Sequence, residues 1–363
     1  MFSFKRVIIP ILIGIGFSVI SLLSHHFDFS VLRGLEWCGQ FIVLAVLLMI
    51  VRDMAYIWRL QILTGRVLSF KDAFQIIMLW EFASSVSPSM VGGSAFAIFF
   101  INAEGIPLGK STGIVLATAL LDELFYIIMV ALILAFSGIS ILNVSGLPFN
   151  PTTLFLIGYG FIILLTTIIS VGVFIAPQGL KKVLVGIFSL PLLRRWKAGA
   201  ERTGDEIIMT SEELKGKPFS YWFKAFFATA FSWTARYCVL NCLILALNPQ
   251  MGFDWSHQVM IYAKQLVMWV ILLISPTPGA SGIAEISFTA FFGNEFTTNI
   301  ADAVALLWRG ISYYPYLFIG LAILPWWLTK LEKRRLAKET IHNSEFKIQN
   351  VDTGETFQPG TGE

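Results

Sequence analysis

The fold predicted by the sequence is an all-α polytopic membrane protein, with about six full spans and two re-entrant broken hairpins in an inverted-topology repeat. Three observations predict it. The 363 residues are 56% hydrophobic and only 13% charged, with a mean hydropathy of +0.74; soluble domains carry about 25% charged residues. Apolar stretches of spanning length recur along the chain. The Lys and Arg residues between them alternate from rich loops to empty ones, as loops on opposite faces of a bilayer do.

In chain order, Lys5 and Arg6 precede an apolar run at 7–24 with no small-residue cleavage site after it, so it reads as a retained signal anchor. Further full spans are expected at 37–60, 113–137, 153–176, 222–247 and 300–328. The apolar region 73–101 is interrupted by Ser84 to Ser94, and 258–292 is interrupted by Ser275 to Gly282. A crossing takes about 20 residues, so the first region is too short to cross twice and the second is marginal. A hairpin that dips in and returns fits both, provided its irregular backbone is buried in protein or lines a cavity.

Loop charge orients the chain. With Lys5 and Arg6 inside, Arg59, Arg66 and Lys71, then Lys110, the basic loop 177–220 and the tail from Lys330 all fall on the cytoplasmic side. The loops at 138–152 and 248–257 hold no Lys or Arg and fall outside. Both termini are then cytoplasmic, as in a bacterial inner-membrane protein. Full crossings in place of hairpins would leave every loop where it is, so charge does not decide between them. Residues 1–152 and 153–330 form two membrane repeats, each reading span, span, broken hairpin, span, and entering from opposite faces. Interrupted segments in matching positions point to a transporter's substrate site. Within 177–220, the stretch from Gly179 to Leu193 suits a helix lying on the inner leaflet against anionic head groups, or a plain basic connector. The polar tail 331–363 reads as disordered.

Ionisable groups inside spans are costly and mark function. Here they are Arg52, Asp53, Glu81, Asp122, Glu123, Arg236, Lys264, Glu285, Asp302 and Arg309. In one reading Arg52, Arg236, Arg309 and Lys264 line a polar cavity that receives an anionic group, since the planar Arg fork matches phosphate oxygens. Ser87 and Pro88, Gly92 and Gly93, and Pro276, Pro278 and Gly279 would supply free backbone donors at the two breaks. In the other reading the charges pair within the bundle and meet no ligand. The spacing of His and Cys offers no metal site, and no nucleotide-binding glycine pattern follows a strand, so no cofactor, nucleic acid or catalytic residue is expected.

The run Phe82 to Gly93, the run Leu121-Asp122-Glu123-Leu124-Phe125, and the run Pro276-Thr277-Pro278-Gly279-Ala280-Ser281-Gly282-Ile283-Ala284-Glu285 resemble the lysylphosphatidylglycerol synthase transmembrane region, also called the flippase-like domain family. The similarity covers roughly residues 5–330. It implies a module that moves or binds an anionic or aminoacylated phospholipid, or a polyisoprenoid lipid. In bifunctional members a separate soluble domain makes the lipid; here only a polar tail follows Lys330, so a separate lipid-modifying enzyme is the implied partner. Ala280 stands where a second Gly is common, and Ser94 and Ala95 stand where Glu and Arg follow the glycine pair. Movement would be passive or ion-coupled, with Glu81, Asp122, Glu123 and Glu285 as candidate proton carriers. The alternatives are a membrane-embedded transferase using a polyprenyl-phosphate sugar, with Asp122-Glu123 as its carboxylates, or a non-transporting partner of a lipid synthase. The lipid and the oligomeric state stay open.

Overall fold

The computed structural model describes residues 37–87, 89–142, 150–191, 193–247, 252–273, 280, 283–296 and 301–352. The expected span at 7–24 lies outside them, as does most of the second break. The described chain is helical and multi-pass. Five of its helices are long and apolar enough to cross a membrane.

The first is α1 (Gly39–Leu63). The broken region follows as α2 (Phe70–Val86) and α3 (Ser89–Ala103), two helices packed against each other. The interruption is narrower than the sequence predicts. Ser84 to Val86 stay helical, and so do Gly92 and Gly93, which are therefore not the break. Among the described residues only Ser87 leaves the helix, at φ −89° and ψ 141°, because Pro88 behind it disfavours the helical region. Gly93 instead allows the two arms to close: a Cβ there would lie 2.9 Å from the Ser84 Cα.

Helix α4 (Leu108–Ser137) and helix α5 (Pro151–Ser170) follow, α5 ending in one wide turn over Val171–Ile175. The basic connector folds as α6 (Pro177–Phe188) and α7 (Lys197–Lys215). Val183, Ile187 and Leu190 leave an apolar stripe exposed on and just beyond α6. Then come α8 (Phe219–Leu247), α9 (Trp255–Leu273) and α10 (Ile283–Phe292).

The expected span 300–328 is met by the apolar stretch Val304–Arg334, within which α11 (Ala301–Ser312) and α12 (Tyr314–Asp352) join at a single turn residue, Tyr313. Pro315 causes this, since it has no N–H to continue the ladder and its ring crowds the preceding turn. The tail expected to be disordered from 331 is helical as far as Asp352. It holds Leu, Glu, Lys, Arg and Ala in a run without Pro or Gly, and these propagate a helix once one has started. Residues up to Gly320 form one compact unit and those from Leu321 a second.

The centre of the first unit is the antiparallel pair α1 and α8. Cys38 N–H donates to Ala246 O (2.9 Å), Ser232 Oγ to Arg52 O (3.1 Å) and Tyr221 Oη to Leu63 O (3.3 Å). The three contacts keep one register from end to end. Small residues make it possible: Ala45, Ala225, Ala228, Thr229 and Ser232 are all fully buried, and small side chains let helices approach where lipid provides no hydrophobic drive. Leu156, Ile157, Leu164 and Ile168 of α5, and Phe223, Phe227 and Phe231 of α8, are exposed. Faces of this size are untenable in water and ordinary against acyl chains.

The connector is bolted to α4. Gly109 N–H donates to Glu206 Oε2 (2.7 Å), and Lys110 Nζ to Glu213 Oε2 (2.8 Å). A Cβ on Gly109 would lie 2.8 Å from the Glu206 carbonyl carbon and the Ile207 nitrogen. Gly109→Ala therefore forces α7 off α4. A loss of about 1–3 kcal/mol is expected, read as a lowered thermal midpoint of the purified protein.

The hydrogen bond from Lys110, helped by Lys217, holds the Glu213 carboxyl below its ordinary range. The folded form thus prefers the carboxylate, and the stability this supplies is present above about pH 4.3. It is lost as pH falls through the lowered folded value. Thermal scans of the protein and of Glu213→Gln should differ at pH 7 and converge in acid; a gap that persists in acid contradicts the assignment.

Candidate functional site

The intramembrane charges collect along α1 and its neighbours. Arg52 is 1% exposed. Its NH2 meets Glu81 Oε1 of α2 at 2.7 Å, and its NH1 meets Asp53 Oδ1 at 2.8 Å and the Tyr316 hydroxyl at 2.9 Å. Tyr316 Oη in turn donates to Asp53. The guanidinium also lies over the Tyr56 ring, 4.5 Å from its centroid. Arg52 is thus an ion-pair hub between two carboxylates.

Two turns further, Arg59 pairs with Asp122 of α4 and donates to Thr229 Oγ1 of α8 (3.0 Å). The Trp233 indole N–H donates to the same carboxylate (2.8 Å). Sequence reading placed Arg59 in a loop; it is 5% exposed, inside α1. The signal that could have found it is its spacing of seven from Arg52, which sets both on one helix face.

The second half is also paired. Arg309 of α11, 3% exposed, has its Nε 3.1 Å from Glu285 Oε1 of α10 and lies 4.1 Å from the Tyr313 centroid. Lys264 Nζ meets Glu295 Oε1 at 2.6 Å, and His257 Nε2 faces Oε2 of the same carboxylate at 2.8 Å.

Two groups break the pattern among the described residues. Arg236, near the middle of α8, forms no ion pair. Its guanidinium lies 5.6 Å from the Trp233 ring centroid and 5.0 Å from that of Trp269, on α9. Trp233, Trp269, Tyr126 and Tyr237 form one aromatic cluster, with Tyr126 stacked on Trp269 at 6.3 Å. Glu123 is the second. It faces only the Thr166 hydroxyl of α5, 3.3 Å from Oε2.

The structure therefore divides the predicted residues. Arg52, Lys264, Glu81, Glu285 and Arg309 are paired, and Asp122 is held by Arg59 and Trp233. Asp122 and Glu123, though adjacent, face different helices and do not act as a carboxylate pair. Ser87 is buried at the end of α2. Pro88, Pro276, Pro278 and Gly279 lie outside the described residues, as does the side chain of Asp302. Between them Ala280 takes φ +54°, a left-handed conformation that fits a sharp turn but strains a residue with a Cβ.

Comparison with known proteins agrees with this architecture. A family model described as the lysylphosphatidylglycerol synthase TM region matches residues 7–320. A curated relative, a "UPF0104 membrane protein" from Archaeoglobus fulgidus (strain ATCC 49558), is 24% identical over 328 residues, covering 86% of this chain and 94% of its own length. No solved structure matches.

Proposed function

We propose a lipid-translocating role, from the premise that the chain belongs to the lysylphosphatidylglycerol synthase transmembrane-region family. The cargo is a lipid with an anionic head group, moved between leaflets of the cytoplasmic membrane through the protein interior. One observation carries this reading: Arg236 is an intramembrane cation with no countercharge among the described residues. An unpaired charge at that depth is costly unless water or a ligand meets it. A guanidinium between two indoles presents its free edge to phosphate oxygens in the fork geometry they accept. The surrounding aromatic faces suit the glycerol and upper acyl chains.

Three further features support an inverted repeat around this site. α1 and α8, corresponding helices of the two halves, run antiparallel in one register. Each is more exposed in its first half than in its second. The last helices of each half also behave alike: α4 sends Tyr126 to Trp269 of α9, and Tyr313 Oη donates to Ser85 O of α2 (2.8 Å). Helices α2 and α3, at 17 and 15 residues, span about 26 and 22 Å, short of a hydrocarbon core of about 30 Å. This length supports a re-entrant first hairpin, and the basic connectors and both termini then face the cytoplasm.

Proteoliposomes carrying fluorescent phosphatidylglycerol test the function. With dithionite outside, the protein should bring more than half of the label within reach, with no new lipid product. Label that stays at one half, as in empty vesicles, refutes translocation.

A further inference from the structure

We propose that Glu123 is a proton-carrying group that couples lipid movement to a transmembrane proton gradient. The inference rests on the translocation reading above and adds its energy source.

The argument begins with one hydrogen atom. Thr166 Oγ1 lies 2.8 Å from Ile162 O, the carbonyl one turn back, and 3.3 Å from Glu123 Oε2. A hydroxyl has a single proton, and the shorter, backbone contact takes it. What Thr166 then turns toward Glu123 is a lone pair. A carboxylate cannot use it, whereas a carboxylic acid donates to it. The site is built for the neutral form.

The surroundings agree, element by element. Helix α5 carries no charged residue, and its Tyr159 hydroxyl donates to Ile127 O. Helix α3 has no ionisable side chain. Arg59 of α1 is taken by Asp122, and Lys264 of α9 by Glu295. Glu206 and Glu213 of α7 sit at the first turn of α4, with Lys110. On α8, Arg236 lies over its indoles and Tyr237 is bonded to Tyr126. No ion pair with a cation among the described residues holds Glu123, so in this packing its charged form has no countercharge.

Release follows when α4 and α5 part enough to admit water. The O–H bond breaks, the proton passes to water, and a carboxylate remains. That new charge sits beside Asp122, whose oxygen accepts from Trp233, the ring under Arg236. A negative charge gained there competes with a bound anionic head group, and a proton regained relieves it. Binding of proton and lipid are then linked, each favouring the other.

The experiment uses the full chain in liposomes with labelled phosphatidylglycerol, an entrapped pH dye, and valinomycin with potassium to clamp the potential. A one-unit pH gradient should bias movement down the proton gradient by up to about tenfold, with proton entry tracking lipid movement. Glu123→Gln should lose the bias and the associated proton flux. Thr166→Val removes the acceptor for the neutral acid and should shift the pH midpoint of transport downward. Lipid movement indifferent to the gradient in the unsubstituted protein overturns the proposal and leaves translocation standing. A gradient response retained by Glu123→Gln overturns it too. Absence of lipid movement at every pH overturns translocation itself, and this proposal with it.

Discussion

Arg236→Ala is expected to abolish lipid movement while leaving the protein folded and inserted. The guanidinium forms no ion pair among the described residues, so its removal strands no carboxylate. What is lost internally is its contact with Trp233 and Trp269, worth about 0.5–2 kcal/mol. What is lost with a bound head group is larger. Truncating one partner of a desolvated charge pair costs about 2–5 kcal/mol, at least about thirtyfold in affinity for the lipid. Arg236→Lys should recover part of the activity, since it restores the charge without the planar fork. Dithionite accessibility of labelled phosphatidylglycerol, with thermal unfolding on the same preparations, separates the two effects. Normal transport by Arg236→Ala removes this residue from the site.

Arg52→Met should do the opposite, failing through stability. Its guanidinium holds Glu81 at 2.7 Å and Asp53 at 2.8 Å, and it accounts for one of the hydroxyl contacts of Tyr316. Without it two carboxylates face each other in a nearly dry interior. Breaking a buried pair from one side costs about 3–5 kcal/mol, and here both acids lose their cation, Asp53 keeping the Tyr316 hydroxyl. A loss at the upper end of that range, or aggregation on extraction, is expected. Adding Glu81→Gln to Arg52→Met should recover part of the loss, because one stranded charge is removed. If the single variant unfolds at the temperature of the unsubstituted protein, the hub is not the structural anchor described above. By the same reasoning Arg309→Ala acts first on stability through Glu285.

Much of the architecture was legible in the sequence because bilayer constraints act on composition. Spans of about 25 apolar residues cannot hide, and α1, α4, α5 and α8 lie within a few residues of expectation. What the sequence did not disclose was set by packing. Ser84 to Ser94 reads as one long break, yet among the described residues only Ser87 leaves the helix, since Gly93 and Ser84 close against each other once α2 and α3 meet. The division at Tyr313 comes from Pro315 inside a run that hydropathy treats as continuous. The charges were found with two omissions: Arg59, hidden by its place near the end of a span, where Arg ordinarily flanks the membrane, and Glu295, just beyond the end of α10, which is buried against Lys264 and His257. Their partners were not legible, because Arg59 and Asp122 lie 63 residues apart and Asp122 and Trp233 lie 111 apart. Pairing is therefore what sorts the predicted cations, and it leaves Arg236 open among the described residues.

Photo-crosslinking shows most directly whether a lipid enters this interior. Phosphatidylglycerol with a photoreactive group beside its phosphate, activated in proteoliposomes and mapped by peptide mass spectrometry, should label the α8 and α9 peptides that carry Trp233, Arg236 and Trp269, and should lose that label in Arg236→Ala. Label confined to outward faces such as Leu156, Ile157 and Leu164 of α5, and unchanged by the substitution, would contradict an interior lipid path.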